Sequence, residues 1–136
     1  MKPWILLRVS AGLYAIFTLG HSFGALAAPS RGPEEDALFI AMRGLTFNIQ
    51  GFSRSHWSFY RGYGILEIAH LAALAALCWI VGGMSRVDAR EVRMLTAVLF
   101  GISGLVAVVS WTYFFAGPGV ISTLATLCLG LATIKS

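Results

Sequence analysis

From Met94 to Ile134 the chain runs 41 residues without an Asp, Glu, Lys or Arg. One helix crosses a hydrocarbon core with ~20 residues, so this stretch holds two crossings rather than one. The break falls at Ala116-Gly117-Pro118-Gly119, where Gly and Pro end one helix and start the next. Two further apolar segments precede it. Trp4 to Ala28 carries one charge, Arg8, and Gly62 to Gly83 carries one, Glu67. None shows the alternation of barrel strands, and backbone in lipid must bond to itself, so all four read as helices. The expected fold is an all-α membrane protein, a four-helix transmembrane bundle forming one domain over residues 1–136. Its spans lie at about 4–28, 62–83, 94–115 and 118–134, the last short enough to stand nearly upright or draw in its flanks.

Composition agrees. The chain is 57% apolar and 12% charged, against roughly 45–50% and roughly 25% in soluble domains. So few charges cannot cover a water-facing surface. The net charge of +4 is spread as single Arg residues between apolar runs, with no basic stripe, so nucleic acid is not the expected partner. The expected partner is the lipid bilayer, with a partner membrane protein or a second copy left open. Cys78 and Cys128 lie 50 apart in apolar segments, without CxxC or His/Cys spacing. They read as apolar fillers, and neither a metal nor a cofactor is expected.

Ala25-Leu26-Ala27 has the form of a signal-peptidase site. The apolar stretch before it is longer than a usual signal core, is interrupted by Arg8 and contains Gly12, Tyr14, Gly20, His21 and Gly24. That is packing chemistry, and the segment is expected to stay as the first span. Four spans put both termini on one side, with Lys2, Arg8, Arg86, Arg90, Arg93 and Lys135; Arg31, Arg43, Arg54 and Arg61 lie on the other. The positive-inside rule then places both termini in the cytoplasm and the protein in the inner (plasma) membrane. Trp4 and Trp79 fall near the inner interface, Trp57 and Trp111 near the outer.

The outer loop, 29–61, is patterned. Pro33 followed by Glu34, Glu35 and Asp36 has the form of a helix start. Leu38, Met42 and Leu45 make one apolar face, and Gly44 stands near the end. An amphipathic surface helix is expected there, followed by an aromatic, Arg-bearing stretch, Phe47 to Gly64, that serves as an interfacial anchor or folds over the bundle mouth.

Ionisable side chains within a span are costly and default to function. Three qualify: His21, Glu67 and His70. Arg8 lies about one turn from Trp4 and can snorkel to headgroups. Counting ~1.5 Å per residue puts His21 and Glu67 both ~9–10 Å below the outer helix ends, with His70 ~4–5 Å deeper on the same face as Glu67. Gly20 and Gly24 form a small-xxx-small pair beside His21 that would admit a neighbouring helix. Ser110, Thr112, Ser122, Thr123 and Thr126 count to the outer half as well. This cluster has several readings. Glu67 can fix helix register by bonding His21 or a hydroxyl. His21, Glu67 and His70 can do acid–base chemistry on a lipid-like substrate. Glu67-x-x-His70 has the spacing of bundle metal sites, but the other helices bring no acids; a bis-His haem between His21 and His70 and ion-coupled transport through Glu67 complete the set.

Gly20-His21-Ser22-Phe23-Gly24 together with Arg54 to Gly64, "RSHWSFYRGYG", resembles a family of small bacterial four-helix membrane proteins with no assigned activity. There Gly-His-Ser/Thr in the first helix is followed by an Arg-Ser-x-Trp-Asp-Phe-Tyr-x-Gly-Phe-Gly entry to the second. The likeness covers length, four spans and the long first loop. It departs at Ser58, where the pattern has Asp, so no role needing a carboxylate there carries over. The resemblance implies an uncleaved first helix and brings no activity. The expected function is that of an accessory subunit or an apolar-ligand or lipid-binding protein with a polar pocket in the outer half. Its expected ligand-binding residues are Arg54, Trp57, Tyr60, Arg61 and Ser110. The alternative is a membrane enzyme using His21, Glu67 and His70.

Overall fold

Among the described residues, four helices are long and apolar enough to cross a membrane: α1 (Pro3–Leu26), α3 (His56–Val81), α4 (Ala89–Tyr113) and α5 (Ala116–Lys135). Between the first two lie helix α2 (Pro33–Gly44) and a hairpin of β1 (Thr46–Ile49) and β2 (Phe52–Ser55). The computed structural model describes residues 1–84 and 88–135; Arg86, counted above on the terminal side, lies outside them.

The α4 helix starts at Ala89 rather than Met94, and two further boundaries differ from the sequence reading. The break between the last two spans falls at Phe114–Phe115, not at the Gly-Pro pair, and α5 takes in Gly117 and Pro118 as its first turn. Proline is tolerated there because a first-turn N–H has no partner within the helix. The fourth span thereby gains length, to 20 residues, or ~30 Å, which matches a hydrocarbon core without drawing in flanks. The second difference is at α3, which starts at His56 rather than near Gly62, so the aromatic entry segment is helical.

The chain forms two compact units, one of Met1–Thr18 with His70–Ser136 and one of Leu19–Ala69. In the first, each helix turns one stripe inward at helical spacing: Leu7, Ala11 and Tyr14 on α1; Leu71, Leu74 and Cys78 on α3; Thr96, Leu99 and Ser103 on α4; Ser122, Ala125 and Leu129 on α5. Large side chains such as Leu105 and Val108 point outward. Lipid tails are as apolar as leucine, so helix association rests on the close packing of these stripes and on hydroxyl bonds between helices.

Those bonds have a determined direction. Thr126 Oγ1 donates its one proton to Ser122 O at 2.8 Å. Ser103 Oγ, 2.8 Å from Thr126 Oγ1, must therefore donate to it. Tyr14 Oη, bonded to Ser103 Oγ, must in turn be the donor there. One proton order runs α1 to α4 to α5. Ser10 Oγ ties α1 to α5 a second time, lying 3.3 Å from Ala125 O and 3.0 Å from Leu6 O.

Arg8 lies at the C-terminal end of α3, where its Nη2 would stand 3.3 Å from a Cβ on Gly83. Its guanidinium lies 3.5 Å from the centre of the Trp79 ring. Its Nη1 is buried and has no hydrogen-bond partner among the described residues. An indole face attracts a cation without needing a hydrogen bond, which lets this charge be held against protein. Cys78 is buried, Cys128 is half-buried, and both are free thiols.

Candidate functional site

The second unit carries most of the residues singled out above. Its α2 begins as Pro33 and the three acids suggest, with Pro in the first turn and Glu34, Glu35 and Asp36 at the positive dipole end. Glu35 also accepts from the backbone N–H of Arg31, a reach back across the helix start. The packed face is not the expected one. Phe39 and Met42 are half-buried, whereas Leu38 and Leu45 are exposed. Phe39 wins the inward position because rings await it on α3: Trp57 at 4.9 Å and Tyr60 at 6.3 Å between centroids.

After Gly44 the chain turns into a hairpin absent from the sequence reading. Thr46 pairs with Ser55, Phe47 with Arg54, Asn48 with Ser53 and Ile49 with Phe52. Gln50 and Gly51 close it with φ of 55° and 82°, the left-handed pair that a two-residue hairpin turn requires. At its base His56 donates both its backbone N–H and Nδ1–H to Leu45 O, at 3.2 and 3.3 Å.

The hairpin leads straight into α3, and Ser55 caps it. Ser55 Oγ accepts from Ser58 N at 3.1 Å and lies 3.0 Å from Ser58 Oγ. Ser58 thus holds the third helical position, where an acid commonly completes a capping box. Ser55 read as an N-cap would have found the true start of the helix.

Past the cap, α3 presents Trp57, Tyr60 and Arg61 on one side. Trp57 and Tyr60 stack at 5.6 Å. Two guanidinium groups converge on the Trp57 ring, Arg43 from α2 at 4.6 Å and Arg61 at 5.9 Å. Arg61 Nη1 also donates to Ala25 O of α1 at 2.8 Å, which leaves other donors of its fork for a ligand. Arg43 and Phe39 were missed by sequence reasoning. An aromatic and an arginine four apart on a helix opposite a Trp–Tyr pair were the available signal. Arg54 stands apart from Trp57 on β2, with its guanidinium 5.4 Å from the Phe52 ring and Nη1 donating to Ser53 O at 2.9 Å. Ser110 is buried on α4, in the other unit.

His21 meets α3 at Gly64. Its Nε2 lies 3.3 Å from Gly64 O, and a carbonyl only accepts, so Nε2 carries the proton. Gly64 permits the approach, since a Cβ there would stand 3.2 Å from Ala25 Cβ. The expected small-residue contact lies here rather than at Gly20 and Gly24, whose surroundings are open. His21 is therefore docked one turn before Glu67, which is half-buried on the same helix. His70 is exposed and belongs to the other unit. Among the described residues no group of three His, Cys, Asp or Glu is placed to hold a metal ion.

No family model, curated protein or solved structure matches this chain.

Proposed function

We propose that this chain is a small integral membrane protein without catalytic chemistry of its own, one that binds the anionic headgroup of a lipid or lipid-like ligand at the head of α3. The observation that carries this reading is the sharing of the Trp57 ring by Arg43 and Arg61. Two like charges drawn to one ring repel each other, and an anion between them removes that repulsion. A guanidinium offers a phosphate two parallel donors, and Trp57, Tyr60 and Phe39 supply an aromatic wall for the glycerol and upper acyl carbons. The stretch 37–66, which carries both arginines, holds no Asp or Glu. His21, in this reading, holds α1 to α3 through Gly64 and keeps the platform in place. Both termini are assigned to the cytoplasm of a bacterial cell and the platform to the outer face of its inner membrane.

Native mass spectrometry of the full chain, released from gentle detergent after exposure to equal phosphatidylglycerol and phosphatidylcholine, tests this. Retention of phosphatidylglycerol is expected to dominate and to drop severalfold in Arg43→Gln/Arg61→Gln with the melting temperature held. Equal retention of both lipids, or a double variant that keeps the preference, would overturn it.

A further inference from the structure

The hairpin register sorts its side chains by chemistry. Cross-strand partners share a face, so Phe47, Arg54, Ile49 and Phe52 lie on one side and Thr46, Ser55, Asn48 and Ser53 on the other. One face is apolar with a single cation; the other is all hydroxyl and amide. Phe47 is half-buried against His56 and Phe59, each ring 5.2 Å away. The outer half of that face is bare: Ile49 is 56% and Phe52 61% exposed. In water, an isolated two-stranded hairpin with such a face is marginal at best.

What lies beside this face follows from α3. That helix has 26 residues, or ~39 Å, against ~30 Å of hydrocarbon and ~40–45 Å for the bilayer with its headgroups. With α3 crossing, its first residues stand at headgroup depth. Ser55 of β2 precedes His56 of α3 directly, so the hairpin base is fixed at that level. Its strands, four residues each, reach ~13 Å, within the interfacial zone. The charge fits as well. Arg54 is the only ionisable group on either strand, and it sits on the apolar face, where a headgroup phosphate would meet it.

We propose that the hairpin is a membrane wedge: Ile49 and Phe52 enter the boundary between headgroups and acyl chains, and Arg54 pairs with the phosphate of an anionic lipid. The Thr46, Asn48, Ser53 and Ser55 face stays in water. The type of turn makes this a rigid device, since Gln50 and Gly51 hold the register that keeps the two faces apart. The wedge is independent of headgroup binding at Trp57, because it uses other residues and is read as depth rather than retention.

Nitroxide labels at Ile49→Cys and Ser53→Cys, each in the full chain with Cys78→Ala and Cys128→Ala, report the two faces in vesicles. Oxygen, which partitions into lipid, should reach the label at 49 severalfold more readily than a water-soluble nickel chelate does, with the order reversed at 53. Adding phosphatidylglycerol to phosphatidylcholine vesicles should deepen position 49, and Arg54→Gln should abolish that dependence. In the chain with both cysteines intact, hydrogen exchange at 47–54 should slow on the same addition, which covers the case of a destabilised cysteine-free background. Equal nickel access at 49 and 53, or depth and exchange indifferent to phosphatidylglycerol, overturns the wedge. Spin–spin broadening between labels at 49 overturns it too, because a second copy then covers the face.

Discussion

A single methyl group distinguishes two glycines here. A Cβ on Gly119 would stand 2.6 Å from the Trp111 ring, and that ring is fixed by a 2.9 Å bond from its Nε1–H to Thr123 Oγ1. Gly119→Ala must push the indole off this bond, an overpacking cost of about 1–3 kcal/mol. Gly101, in the interior of α4, has open space around it, so Gly101→Ala should gain up to ~1 kcal/mol of helix propensity. Thermal melting in detergent should therefore shift down for the first and up or not at all for the second; equal shifts would refute the contact at Gly119. Such pairwise fits were not legible in the sequence. Gly20 and Gly24 look like the packing glycines by spacing, yet close approaches between helices occur at others, among them Gly64, Gly82, Gly119 and Gly130. Spacing says which residues share a face, and only the neighbouring helix decides which face is used.

At the scale of elements, the hairpin turns on Gly51. A β-branched side chain at φ of 82° pays the left-handed penalty of about 1–2 kcal/mol. Gly51→Val is expected to speed amide exchange across 46–55, and Gln50→Asn, a better residue for this turn, to slow it. Unchanged exchange in both would show that the turn does not hold the strands. The long helices were readable because absence of charge over ~20 residues is a strong signal. The hairpin was hidden because its aromatics also suit an interfacial anchor, and its two-residue turn, Gln50-Gly51, is a weak form of the usual Asn-Gly. The entry motif had the same ambiguity: Ser55 and Ser58 cap a helix, while the aromatic content around them suggests a loop anchored at the surface. Trp57, Tyr60 and Arg61 were found because they share a short segment. Arg43 and Phe39 come from α2, and their place was set by which of its faces packs.

For the whole molecule, four membrane-crossing helices require both ends of the chain on one side. Fusing a reporter that is active only in the cytoplasm to either terminus should give the same signal, and the excess of Lys and Arg near the ends points to an active one. Opposite signals would mean that one of the four apolar helices does not cross. The hydroxyl pattern of the first unit bears on how such a chain is made. Ser10, Thr96, Thr112, Ser122, Thr126 and Thr133 each also bond a carbonyl three or four residues back in their own helix. These six hydroxyls can thus be satisfied within their own span before a neighbour packs against it, whereas Ser103 finds its partners across helices, in Tyr14 and Thr126. Such hydroxyls add little unpaired polar cost when a helix enters lipid by itself, so for them insertion and packing against a neighbour can be separate events.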